Sequence, residues 1–405
     1  MNLQKAINLT VIVAALGYFV DIYDLILFSI IRVASLTSLG YSGPDLLSKG
    51  VFLLNMQMAG MLLGGIIWGL LGDKKGRISV LFGSILIYSI ANLLNAFVTS
   101  FEQYAMIRFI AGIGLAGELG VGITLVAESL PAAYRGYGTT IVASVGILGA
   151  ICAALVGNIL DWRMAFIIGG IMGFCLLVLR ISVSESLMFK TVAKSGIKRG
   201  NFLLIFTSAE RFWKYAKCIL IGAPIWFIVG IFVTFSPEFA RAMGVTEPIT
   251  AGTSIMACYF GLFLGDLTSG FTSQILKSRN KIVLVFLLLC TLSGSIYLFI
   301  PHASAGLIYL NCLFLGFSAG YWAVMVTIAA EQFGTDIRAT VATTVPNFVR
   351  GSLVLFTSLF LFLKVRLDII PAAALVGLLT LVLAFIGLYG LKESYSNELD
   401  FVEMS

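Results

Sequence analysis

Twelve long apolar runs separated by polar breaks constrain the fold of this 405-residue chain more than any single motif does. They fall at 10–32, 49–72, 78–98, 102–128, 138–160, 164–181, 217–242, 251–276, 282–300, 304–332, 339–363 and 369–391. A bilayer core about 30 Å thick takes about 20 residues of helix, so each run is of a length to cross it. Hydrophobic residues make up 59% of the chain and charged ones 11%, which is more apolar surface than a water-soluble fold can cover. Hydrocarbon offers no partner to a bare backbone group, so a spanning segment must close its own hydrogen bonds. The expected class is an all-α membrane protein of twelve transmembrane helices. The first run carries two aspartates and is too long for a cleavable signal peptide, so it counts as the first helix.

Orientation follows from the basic residues. With both termini inside, 18 of the 26 Lys and Arg fall on the cytoplasmic side, including Lys74, Lys75 and Arg77, Arg180, Arg211 to Lys217, and Arg279. The outer side keeps Arg32, Lys49, Arg163, Arg241, Lys364 and Arg366, while Arg108 and Arg350 fall within helices. That bias puts both termini in the cytoplasm. It also accounts for the net charge of +6, so no nucleic-acid partner is expected.

Catalytic and metal chemistry find little to work with. Cys152, Cys175, Cys218, Cys258, Cys290 and Cys312 sit in apolar runs without metal-ligand spacing, and the one histidine, His302, lies in an external loop. No nucleophile elbow or phosphate loop is seen, and no appended domain through which a sensor could signal is expected. An enzyme is not expected, nor any cofactor other than protons.

The chain repeats itself. Glu128-Ser-Leu-Pro-Ala-Ala-Tyr-Arg135 is echoed by Glu331-Gln-Phe-Gly-Thr-Asp-Ile-Arg338, an offset of 331 − 128 = 203. Gly69 to Arg77 is echoed by Gly270 to Arg279, and Arg180 with Glu185-Ser186 by Lys392-Glu393-Ser394. A parallel repeat explains all three. Residues 1–181 then form one six-helix bundle, 182–216 a basic cytoplasmic linker, and 217–405 a second bundle.

Gly69-Leu-Leu-Gly-Asp73-Lys-Lys-Gly76-Arg77 resembles the signature loop of the major facilitator superfamily, complete in its glycines, aspartate and final arginine. Arg108-Phe-Ile-Ala-Gly112-Ile-Gly114 is similar to that family's pattern on helix 4. The resemblance spans the whole chain. Within the family, Tyr23-Asp24, Glu128 with Arg135, and Arg180 with Glu185-Ser186 resemble the sugar-porter and metabolite:proton symporter branches. Asp21-Ile-Tyr-Asp24 resembles the Asp-x-x-Asp of aromatic-acid:proton symporters. Two departures stand out. Gln274 replaces the loop aspartate in the second half, where any charge lock should be weaker, and the Gly-Pro of proton-driven antiporters is missing near Gly146 to Ala150.

Asp21 and Asp24 are three apart, hence on one helix face, and a charge in hydrocarbon marks a functional site by default. Proton coupling needs a carboxylate whose protonation depends on its surroundings, and an arginine that comes and goes supplies this. By resemblance to proton-coupled sugar symporters, Asp24 is the proton carrier, Arg108 its modulator and Asp21 the second choice. Glu118 could relay a proton, touch substrate or form a buried salt bridge. In the second half, Asp266 and Arg350 pair with each other, or else Arg350 with Asn347 binds an anion, since guanidinium matches carboxylate or phosphate. Pro346 loosens that helix, and Gln57 and Asn311 could add hydrogen bonds. Helices 1, 4, 7 and 10 line the cavity in this family, so Tyr18, Tyr23, Trp226, Tyr321 and Trp322 are candidates for an apolar part of the substrate, with packing as the alternative. Gly69, Asp73, Gly76, Arg77, Glu128 and Arg135, with Glu331 and Arg338, are expected to hold a cytoplasmic gate shut.

The expected function is proton-coupled import of a small organic solute, an anion such as an aromatic or hydroxy-carboxylate, by a monomer in the bacterial inner membrane. A facilitator, or an exporter of a drug or of a larger polycarboxylate such as a siderophore, is the alternative.

Overall fold

A computed structural model describes residues 8–43, 45–130, 132–182, 201–299, 304–334, 336–395 and 403, with the side chains of 132, 133, 135 and 182 outside the description. Glu185, Ser186 and His302 lie outside it, as does the side chain of Arg135. Among the described residues, twelve helices are long and apolar enough to cross a membrane. They are α1 (Leu9–Ser38), α2 (Asp45–Lys75), α3 (Arg77–Asn95), α4 (Phe101–Ser129), α5 (Ala132–Ile159), α6 (Trp162–Leu179), α7 (Ala209–Val233), α8 (Ala251–Ile275), α9 (Arg279–Phe299), α10 (Ala305–Glu331), α11 (Arg338–Leu367) and α12 (Ile369–Tyr389).

The expected runs match these helices, with α1 ending at Ser38 rather than 32 and α5 starting at Ala132 rather than 138. The largest difference is at α7, which starts at Ala209 rather than 217 and stops at Val233 rather than 242. Its first turns carry Glu210, Arg211, Lys214 and Lys217 on one face, and these charges dilute the hydropathy of a segment that is nonetheless helical. Residues 236–242 form a separate short helix that begins with Pro237 near its start.

The two halves pack alike. In the first, α2 lies along α4 and α3 along α6; in the second, α8 lies along α10 and α9 against α12. The halves meet through α2 with α11 and through α5 with α8, contacts related by the same exchange. Lipid tails give no hydrophobic drive to helix pairing, so close backbone approach has to do the work. A Cβ at Gly60 or Gly112 would strike backbone across the α2–α4 seam, and one at Gly261 or Gly316 would do so across α8–α10.

Several helices break near mid-length: α4 at 116–117, α7 at 221–222 and α10 at 320–321. A break frees backbone groups that hydrocarbon cannot satisfy. Side chains do so here. Asn347 donates to the Ala116 carbonyl at 2.7 Å, Tyr321 to the Ile221 carbonyl at 2.8 Å, and Asp266 accepts the Ala323 N–H at 3.1 Å.

Candidate functional site

The centre of the molecule is built around Arg350, on the first piece of α11 (Arg338–Gly351). Its guanidinium reaches α1 of the opposite half, 3.8 Å from Asp21 Oδ2 and 3.4 Å from the Tyr18 hydroxyl. It also lies over the rings of Trp226 on α7 (5.7 Å) and Trp322 on α10 (5.3 Å), which meet edge to face at 6.4 Å. Tyr18, Trp226, Tyr259 and Trp322 line a cavity of about 20 Å³ beside it, room for about one water. A desolvated guanidinium with aromatic walls and one carboxylate partner is held by cation–π contact and charge together.

Arg350 therefore does not pair with Asp266. Asp266 caps the inner piece of α10 (Trp322–Glu331) through Ala323 N–H, which fixes the segment carrying Trp322. Asn347, expected beside Arg350 in the cavity, instead bridges to the α4 break. Two further aromatic candidates serve as ties: Tyr321 to Ile221, and Tyr23 through its hydroxyl to the Ala165 carbonyl at 2.9 Å. Asn311 lies ten residues before Tyr321, about 15 Å along α10, and away from the cluster.

In the first half, Asp24 and Arg108 are both buried, yet they form no ion pair. Arg108 bonds the Gln57 amide oxygen and lies over Phe28 at 5.0 Å, while Asp24 faces Gly169 and Asn92 and accepts no hydrogen bond. The partner expected for Asp24 is thus turned to Gln57. Glu118, first residue of the inner piece of α4 (Glu118–Ser129), pairs with Arg180 at the end of α6. Charge spacing alone could not find that pair, since 62 positions separate the two residues.

The charged loops gather at the end of the bundle where the two halves are joined. Asp73 Oδ2 accepts both the backbone N–H (2.8 Å) and the hydroxyl (2.6 Å) of Thr340, capping α11 across the interface. Gly69 makes this possible, because a Cβ there would stand 3.0 Å from Thr340 Cα. Gly76 turns the chain between α2 and α3 at φ +101°, a left-handed conformation that favours glycine. Arg77 then pairs with Glu128 at 2.8 Å and lies 3.7 Å from Asp73. In the second half, Arg279 pairs with Glu331 at 3.1 Å, and Arg338 donates to the Ala330 carbonyl at 3.2 Å. Outside the spans, burial raises the proton affinity of Glu393, but donors from Ser278 and the N–H groups of Arg279, Tyr395 and Asn280 hold it below the usual carboxylate range.

At the other end of the bundle, Arg32 on α1 meets Glu238, from the short helix after α7, at 2.9 Å, and Asn55 on α2 accepts from Thr357 on α11 at 3.0 Å. The halves touch at both ends, so the conformation is closed on both sides of Arg350. Sequence reasoning missed Glu238, Thr340 and Tyr259, whose roles depend on which helices face each other.

Comparison with known proteins agrees with this architecture. The chain is 29% identical over 350 residues to a Bacillus subtilis protein assigned to niacin and nicotinamide transport, covering 84% of each. It is 26% identical to the niacin transporter of Acinetobacter baylyi, over 71% of this chain and 72% of that one. Its fold matches the proton:xylose symporter XylE with a TM-score of 0.75 at 18% identity, covering 98% of both chains. The family model for the Major Facilitator Superfamily matches residues 14–358. The chain belongs to that superfamily: it is a multi-pass membrane transporter of small metabolites, and not an enzyme.

Proposed function

We propose that the protein imports a small aromatic carboxylate together with protons, by alternating access between its two halves in the bacterial inner membrane, with both termini cytoplasmic. The observation that carries this is Arg350, a buried guanidinium of one half held by a carboxylate of the other and walled by two tryptophans. Niacin, the solute named for two relatives, is a pyridine ring bearing a carboxylate, and such a molecule offers both a face for the rings and an anion for the guanidinium.

Asp21 is the carboxylate that Arg350 holds in the closed conformation, so a substrate carboxylate competes with it for the same donor. Protonation removes the competition, because a neutral carboxyl no longer needs the counter-ion. Asp24, nearly one turn along α1 from Asp21 and buried toward α3 and α6 without a hydrogen bond, is the proton carrier in this scheme. Arg108, bonded to Gln57, is the cation that modulates it. Rocking of the halves then exposes Arg350 to each side in turn, with the lock around Asp73 opening on the cytoplasmic side.

The test is uptake of radiolabelled niacin into liposomes carrying the purified protein under an imposed pH gradient. Wild type should accumulate niacin above its external concentration, and Asp24→Asn should equilibrate it without accumulation. Accumulation that persists in Asp24→Asn would remove Asp24 as carrier, and equilibration by wild type would make the protein a facilitator.

A further inference from the structure

A second set of buried polar groups lies inside the first half, behind α1 and away from the Arg350 cluster. It follows the inner face of α6. Gly169 faces the Asp24 carboxylate and the Asn92 amide of α3; Gly173, one turn on, faces the Ser89 hydroxyl and the Tyr88 ring; Arg180, two turns further, holds Glu118. Positions 169, 173 and 180 share one helix face and span about 16 Å. Tyr88 is bracketed from the other side by Gly114, one turn before Glu118.

These groups share one condition. The Asp24 carboxylate, the Asn92 amide, the Ser89 and Tyr88 hydroxyls and Glu118 Oε2 are all buried, and among the described residues none has a hydrogen-bond partner. Buried polar atoms are ordinarily satisfied, and a row of orphans packed against glycines of one helix face is a pattern that bridging water would satisfy. At its inner end, Arg180 also lines a crevice with Thr10, Ile78, Leu81 and Leu125, all at the linker end of the bundle. The charged groups around the file are Arg108 at its outer end, Asp21 with Arg350 across α1, and Arg180 itself; Tyr23 is turned away onto Ala165.

We propose that this file is the proton's own route through the first half, from Asp24 by way of Ser89 and Tyr88 to Glu118 and the crevice, separate from the substrate's route between the halves. The inference rests on the symport reading above. A proton leaves the Asp24 carboxyl, passes by exchange along bridging waters and the two hydroxyls, and binds Glu118 Oε2; Glu118 then gives one proton to water in the crevice. One proton enters and one leaves. While Arg180 holds Oε1, Glu118 stays ionised and the file is closed at its inner end. Breaking that pair leaves a carboxylate without a counter-ion in hydrocarbon, which proton uptake relieves.

The first measurement needs no substrate. Liposomes containing the full chain and a trapped pH dye are given a potassium diffusion potential, and proton influx is recorded. Arg180→Gln should raise influx over wild type by about tenfold, and the double variants Arg180→Gln/Glu118→Gln and Arg180→Gln/Tyr88→Phe should return it to the wild-type rate. No rise in Arg180→Gln, or a rise that both double variants retain, overturns the proposal while leaving niacin symport to its own test. Should Arg180→Gln not reconstitute, Tyr88→Phe alone decides. Gradient-driven niacin accumulation should fall with niacin exchange at equal pH unchanged, and parallel loss of both, or loss of neither, overturns the route.

Discussion

The two signature loops, one in each half, occupy equivalent places and hold the bundle in different ways. In the first half, Asp73 reaches across the interface and caps α11 at Thr340, while Arg77 ties Asp73 and Glu128 together behind it. In the second half, Gln274 stands where the aspartate would be. Its amide lies 3.2 Å from the Arg279 guanidinium, which can donate to it once the amide is turned oxygen-first, and a Cβ at Gly136 on α5 would strike this side chain. Arg279 pairs with Glu331, which also accepts from Ser394, and Glu393 gathers the N–H groups that begin α9. Among the described residues, the second loop's ion pair and hydrogen bonds lie within its own half, while Gln274 and Arg279 pack against α5 at Gly136. A duplicated sequence thus yields two differently bonded loops. Among the described residues, the carboxylate that caps a helix of the opposite half on this side, Asp73, belongs to the first.

That asymmetry can be broken or sharpened. The larger effect is expected from Asp73→Ala, which removes a cap worth about 1–2 kcal/mol and so shifts the closed-to-open balance by about fivefold to thirtyfold. Spin labels at Ser79 and Lys281, both exposed at this end, should report a longer distance in the variant. An unchanged distance would mean that Asp73 does not hold the gate. A smaller effect of opposite sign is expected from Gln274→Asp, which places a carboxylate beside Arg279 and against α5, as Asp73 lies against α11. With a partly buried pair worth about 1 kcal/mol, transport should slow by about threefold to fivefold while the labelled distance shortens. Faster transport in that variant would contradict the asymmetry as described.

The fold was largely legible because hydropathy and the repeat are local or evenly spaced signals. Helix count, the two halves and the loop from Gly69 to Arg77 follow from them. The start of α7 was not legible, since its charged face lowers the hydropathy of residues that are helical all the same. Charge partners were legible only as a set of embedded ions. Arg350 finds Asp21 across 329 positions, and Asp266 ends on a backbone N–H created by a helix break. Nothing in spacing or periodicity distinguishes those partners from Asp266 with Arg350. The pairing is decided by which helices face one another and by which backbone groups the breaks leave bare. Asp24 and Arg108 illustrate the limit of analogy: the residue types match the symporter pattern, while in this closed conformation Arg108 is bonded to Gln57.

Arg350 is the group we propose to read the substrate's charge. The most direct measurement is the affinity of purified protein for niacin and for its uncharged amide, nicotinamide, in wild type and in Arg350→Gln. A charge-assisted hydrogen bond is worth about 1.5–3 kcal/mol, so wild type should prefer niacin by about tenfold to a hundredfold, and the variant should lose that preference while its affinity for nicotinamide changes little. Equal affinity of wild type for the acid and the amide, or a preference for niacin that survives in Arg350→Gln, would contradict it.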